Sequence, residues 1–158
     1  YENLTYYGRG PFENYIDRYS GAFIGRYEDK VENQFYWYIR PQETGNKTDV
    51  RWLTLLDSGG LGVKITGLQP ISFSALHFSP ERLDPGLTRK LQHTIDIVPQ
   101  KNIFLHVDLK QRGLGGDNSW GMYPHNEYRL LDKKYTYSYM IELVEKGSDK
   151  NDYLNSRK

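Results

Sequence analysis

Cysteine is absent from all 158 residues, and alanine occurs only twice. The first absence excludes a disulfide framework, a thiolate nucleophile and any cysteine-based metal site. The second removes the strongest helix former and argues against a helical bundle or coiled coil. No apolar run approaches the roughly 18 residues that a membrane-spanning helix needs. An excess of one charge is missing too: 21 Lys and Arg stand against 20 Asp and Glu, for a net charge of +1. Without the basic face or stripe that nucleic-acid readers present, neither nucleic acid nor membrane is expected as a partner.

What is abundant suits a pleated, half-buried surface. Val, Ile, Thr, Phe, Tyr and Trp account for 46 residues, punctuated by 15 Gly and 7 Pro. That composition predicts an all-β chain. At this length a single domain is expected, burying roughly two-thirds of its unfolded surface. The chain opens on Tyr1 and its first methionine is Met122, with no signal-type pattern at its start. It reads as a domain cut from a longer enzyme. Two Asn-x-Thr triplets, at Asn3 and Asn46, matter only on a glycosylating secretory route.

Alternating apolar and polar residues predict about ten short strands, among them 1–8, 22–27, 35–40, 50–56, 61–68, 71–78, 95–98, 103–109 and 135–145. Ser58-Gly59-Gly60 closes a hairpin between two of them. Pro11 suits the first position of a helical turn over 11–16. Ser79-Pro80-Glu81 starts a second short helix, interrupted at Pro85-Gly86 and resumed over 87–92. Residues 42–49 form a polar turn region. The architecture expected is an antiparallel β-sandwich over 1–145 with one or two short helices. Residues 146–158 are a polar tail expected to be disordered.

Catalytic patterns are missing. Glycoside hydrolysis calls for two carboxyl groups about 5 to 9.5 Å apart across a sugar, and none of the 20 acids pairs convincingly. Glu13 and Asp17, beside Arg9 and Arg18, read as salt-bridged surface groups, and Glu28-Asp29 as part of a turn. Of the four histidines, His106 shares a strand face with Asp108, which could orient a ligand imidazole. A metal needs three or four such ligands, so a structural histidine is the expectation and no metal site is assigned. No Gly-x-Ser-x-Gly elbow or phosphate-cradling Gly-x-Gly-x-x-Gly occurs.

One segment departs from ordinary sandwich sequence. Gln111-Arg112-Gly113-Leu114-Gly115-Gly116-Asp117-Asn118-Ser119-Trp120-Gly121 is a glycine-rich loop around a tryptophan. Glycines permit positive φ and close backbone approach, while Asp117, Asn118 and Ser119 can close local turns that stiffen it. Such a loop can present a flat ring to the apolar face of a sugar. Covering about 50 Å² of apolar surface contributes roughly 1 kcal/mol, somewhat less than tenfold in affinity. That tunes binding and breaks no bond. The alternative is that Trp120 plugs the sandwich interior.

Residues 7–18, Tyr-Gly-Arg-Gly-Pro-Phe-Glu-Asn-Tyr-Ile-Asp-Arg, resemble the GRGPxENYxDR signature near the C-terminus of large β-galactosidases of glycoside hydrolase family 2. Three more segments agree in order: Tyr38-Ile39-Arg40-Pro41-Gln42-Glu43-Thr44-Gly45-Asn46, Asp49-Val50-Arg51-Trp52-Leu53, and Gly115-Gly116-Asp117-Asn118-Ser119-Trp120-Gly121. The likeness runs from about Tyr6 to Leu143; Phe12 fills a variable slot, and Asn118 stands where some members carry Asp.

The resemblance implies the small-chain, domain 5 segment of such an enzyme, with a supersandwich fold of galactose mutarotase-like type. It implies a retaining hydrolase of terminal β-D-galactose, as in lactose, whose acids and magnesium ligands sit on a TIM-barrel domain absent here. By position, Trp120 would contact the sugar on the leaving-group side, with Gly115, Gly116, Asp117, Asn118 and Ser119 supporting it. Gly8, Gly10 and Pro11 would form a turn, held by hydrogen bonds among Arg9, Glu13, Asn14, Asp17 and Arg18. On this reading the isolated chain is inactive, needs no cofactor of its own, partners the other domains and self-associates through exposed apolar patches. Its compartment is open between a bacterial cytoplasm and periplasm. Two other readings remain: a self-sufficient carbohydrate-binding module, in which Trp120 and exposed tyrosines form a platform, and a purely structural scaffold.

Overall fold

Antiparallel pairing organises the chain, as a computed structural model covering residues 1–84, 86, 92–118 and 120–145 shows. The strands are β1 (Asn3–Gly10), β2 (Phe23–Lys30), β3 (Lys47–Leu56), β4 (Gly62–Leu76), β5 (Phe104–Asp108) and β6 (Tyr139–Val144). They form one six-stranded sheet in the order β2-β1-β3-β4-β5, with β6 also on β4. Among the described residues the helical elements are one short helix, α1 (Pro80–Leu83), and 3-10 turns at Val31–Gln34, Thr94–Asp96 and Asn126–Tyr128. The fold is all-β and sandwich-like.

β4 explains how so few strands enclose a core. Trp52 faces Thr66, whereas two residues back Val50 faces Ile71, so β4 bulges outward over residues 67–70 and the sheet turns there. The first half of β4 pairs with β6 and the second half with β5. Leu4, Tyr6, Val50, Leu53, Leu55, Ile65, Ile71 and Phe73 fill the main core, and Ile103, Leu105 and Val107 pack onto it. A second, smaller cluster joins Phe35, Leu76, Phe78, Leu83 and Ile97.

The core face does not end where the core ends. Tyr6, Leu53, Ile65 and Ile141 stand in one cross-strand row, and Leu4, Leu55, Val63 and Leu143 in the next. Paired residues share a sheet face. Yet Ile141 is 61% exposed and Leu143 84%, while the row members on β1 and β3 are buried.

Several expected elements take other forms. The hairpin and the α1 start stand as expected, but residues 35–40 are not a strand, and residues 47–49 belong to β3 rather than to a turn. Residues 95–98 give way to the Thr94–Asp96 turn, where the His93 N–H donates to the Asp96 carboxylate at 2.8 Å. Residues 11–16 form no helix: the Asn14 side chain donates to the carbonyls of Arg9 and Phe12. Those carbonyls are thereby committed to a side chain rather than to a helical ladder. The expected helix over 87–92 falls largely, and the tail over 146–158 wholly, outside the described residues, as does Ser119.

Candidate functional site

The corner after β1 is a polar hub. Asn14 is fully buried, and its Oδ1 accepts from the Thr48 backbone at 2.9 Å and from the Thr48 hydroxyl. Its backbone N–H donates to the Asn46 backbone carbonyl, and the Asn46 side-chain amide donates back to the Asn14 carbonyl, each at 2.8 Å. Glu13 is buried as well. One carboxylate oxygen accepts from Arg18 and the Tyr38 hydroxyl, the other from the Thr44 hydroxyl at 3.0 Å and the Gly45 N–H at 2.8 Å. With both oxygens occupied, Glu13 is a structural acid and not the surface group expected from its spacing. Arg9 leaves the corner, pairing with Asp49 and donating to the Ala22 carbonyl at 2.9 Å.

Asp17 points the other way. Tyr15 and Arg18 pair through their backbones and close a tight turn that carries it. Its Oδ2 accepts the Gly115 N–H at 2.7 Å, and its Oδ1 is sealed from solvent with no protein donor among the described residues. Gly113 lies directly on this carboxylate: a Cβ there would stand 2.7 Å from Asp17 and 2.9 Å from the Tyr128 Cβ. The Gly113 N–H donates to the Tyr128 carbonyl at 2.7 Å. Asp17 thus joins the glycine-rich loop, and is not part of the corner's own network as expected. The four matching segments, dispersed in sequence, meet around one corner.

Past this anchor the loop turns outward. Gly116 runs against the following chain, where a Cβ would come within 2.3 Å of the Met122 carbonyl oxygen. Only glycine permits that approach. The Asn118 side chain accepts the Trp120 N–H at 2.8 Å, the local turn its chemistry suggested, and Gly121 follows with φ 96°. Asp117 accepts from His125 at 2.7 Å, and this hydrogen bond and charge hold the imidazole above its ordinary pKa. Trp120 itself is 91% exposed, so it does not plug the interior of this chain.

The other candidates do not assemble. His106 and Asp108 sit half-buried on β5, and no three His, Asp or Glu converge on a metal-sized site among the described residues. One group went unnoticed in sequence: Glu43 borders a cavity of about 230 Å³ with Ser74, Phe78 and His106. Burial pushes its carboxyl above the ordinary range, against a hydrogen bond from Gln111 and the nearby His106. Asp84 lines the same cavity; burial of the Glu43 carboxyl is a property of the fold that its sequence neighbours do not signal.

This all-β module with its clamped tryptophan loop matches the family model of the β-galactosidase small chain over residues 1–141. The chain belongs to that family. It is 38% identical to a β-galactosidase of Priestia megaterium and 38% identical to one of Streptococcus thermophilus, over 90% of its length in each case. A β-galactosidase of Vibrio cholerae is 32% identical over 89% of it. The chain spans between 12% and 14% of the length of these curated relatives. It corresponds to one part of a β-galactosidase.

Proposed function

We propose that the chain supplies the leaving-group side of the sugar site in a retaining β-galactosidase, and that Trp120 is the contacting group. The observation that carries this reading is the exposure of a large indole on a loop held at Gly115 by Asp17 and bridged across the tryptophan by the bond between Asp117 and His125. An aromatic face left in solvent at the tip of an anchored loop is suited to a sugar's C–H face. The acids that break the glycosidic bond, and any magnesium, belong to the rest of the enzyme, whose catalytic barrel would complete the pocket. Galactosides such as lactose are the substrates.

The uncovered row at Ile141 and Leu143 supports the same division. An apolar stripe on the core face of a sheet calls for a covering layer, and the other domains of the enzyme would supply it.

Trp120→Ala in the full-length enzyme tests the assignment. Loss of one ring contact of about 1 kcal/mol weakens binding of the leaving-group sugar by up to about tenfold, with the galactose side untouched. Unchanged kinetics would leave Trp120 a bystander and favour a scaffold. Submillimolar binding of galactose or lactose to the isolated chain, by calorimetry, would favour a self-sufficient binding module instead.

A further inference from the structure

We propose that Asp17 is the positioning residue for Trp120: its carboxylate sets where the indole stands, without touching sugar. The inference rests on the reading of Trp120 given above. Its basis is geometric. Asp17 Oδ2 holds the Gly115 N–H at 2.7 Å, a Cβ added at Gly113 would stand 2.7 Å from the same carboxylate, and Oδ1 is sealed in. Arg18, next in sequence, pairs with Glu13 rather than with Asp17, and among the described residues the hydrogen bond that Asp17 accepts on its side chain comes from the loop.

The hub behind Asp17 makes it a firm anchor. The turn from Tyr15 to Arg18 follows Asn14 and Glu13, which are pinned to Thr48, Asn46, Thr44 and Gly45. Rigidity passes from the buried hub through one carboxylate to the loop that carries the ring. Charge-assisted hydrogen bonds from backbone N–H to carboxylate are about twice as strong as neutral ones. Released at Gly115, the loop keeps its sequence but loses its fixed seat, and a misplaced binding group forfeits its contact.

The test compares Asp17→Ala, Asp17→Asn, Gly113→Ala and Trp120→Ala in a full-length β-galactosidase carrying this segment. It reads competitive inhibition by glucose, for the leaving-group side, and by galactose, for the other. Asp17→Ala is expected to weaken glucose by about three- to tenfold and leave galactose unchanged. Asp17→Asn keeps an oxygen acceptor without the charge and falls between wild type and Asp17→Ala. Gly113→Ala, which crowds the carboxylate without removing it, gives the same selective loss. Asp17→Ala combined with Trp120→Ala does no further harm than Trp120→Ala alone. Equal weakening of both sugars would make Asp17 merely structural and overturn the proposal. If Trp120→Ala weakens glucose while neither Asp17→Ala nor Gly113→Ala does, only the Asp17 assignment falls. If Trp120→Ala itself changes nothing, the reading of Trp120 falls and this one with it.

Discussion

Asp17 and Gly115 are separated by 98 positions in the chain and by 2.7 Å in space. The contact joins the first and last of the four matching segments. Between them, Glu13 reaches the second segment at Thr44 and Gly45, and Arg9 reaches the third at Asp49. One corner therefore organises the whole polar hub, and a fault there should be felt at the loop.

Gly113→Ala is the most direct way to disturb that contact from the loop side. Its Cβ would stand 2.7 Å from the Asp17 carboxylate and 2.9 Å from the Tyr128 Cβ, so something must shift. Overpacking of this kind costs about 1–3 kcal/mol. Gly21→Ala meets nothing within 4 Å and serves as the control, with a change within about 0.5 kcal/mol. Urea unfolding of the two variants checks the contrast; equal midpoints would show that the loop is not seated on Asp17.

Glu13→Gln removes a buried charge while preserving shape. A Gln places an NH₂ group against two hydrogen-bond donors, either Arg18 and Tyr38 or Thr44 and the Gly45 N–H. Hydrogen bonds to charged groups contribute about 1.5–3 kcal/mol each. Arg18 is half-exposed, so its share is discounted for solvent screening, and a loss of about 2–3 kcal/mol is expected. A denaturation midpoint unchanged from wild type would mean the hub is not holding the corner.

The fold was legible in sequence where burial alternates with period two, as along β1 and across the hairpin of β3 and β4. It was illegible where side chains displaced backbone pairing. Residues 35–40 alternate in sequence, yet Phe35 is buried while Trp37 and Ile39, which would share its strand face, are exposed, and among the described residues no strand pairs with them. The Tyr36 hydroxyl accepts the Glu13 N–H and the Tyr38 hydroxyl donates to the Glu13 carboxylate. Those two tyrosines are spent on the corner rather than on a sheet. The Trp120 loop was legible from its glycines, because close approach leaves a compositional trace. Its anchor was not, since nothing local to Asp17 indicates a partner near residue 115.

Lys47 offers a pH signature of the hub. It is buried and donates to the Gln34 side chain at 3.0 Å and the Gly45 carbonyl at 3.1 Å. Burial pulls its pKa down from 10.5 to about 8, against the attraction of Glu13 and Asp29. Between about pH 8 and 10.5 the unfolded chain binds more protons at this site than the folded one, so its contribution to stability rises with pH. Relative to Lys47→Met, the wild type should gain stability across that window. Parallel stability curves from the two proteins would rule the shift out.

His125 behaves with the opposite sign. The Asp117 hydrogen bond raises its pKa, so the stabilisation it lends the loop is fully present below the ordinary histidine value of 6.5. That stabilisation is lost as pH rises through the elevated folded value. An NMR titration of the His125 ring should move downward in Asp117→Asn, where the charge is gone. If both proteins titrate at the same pH, Asp117 and His125 are not paired in solution.

The uncovered apolar row on β6 predicts how the isolated chain behaves. Ile141 and Leu143 continue the rows of Ile65 and Val63 on the core face, yet are exposed. β6 is hydrogen-bonded on its β4 side alone among the described residues. An exposed edge strand with an apolar face is a template for pairing with another copy. Concentration-dependent self-association should therefore appear in analytical ultracentrifugation of the 158-residue chain. Replacing Ile141 and Leu143 by Lys puts charge on that face and edge and should return the chain to monomer, while the buried cores of β1 and β3 keep its unfolding cooperative. A wild-type chain that stays monomeric at high concentration would indicate that the exposed row is not an adhesive surface.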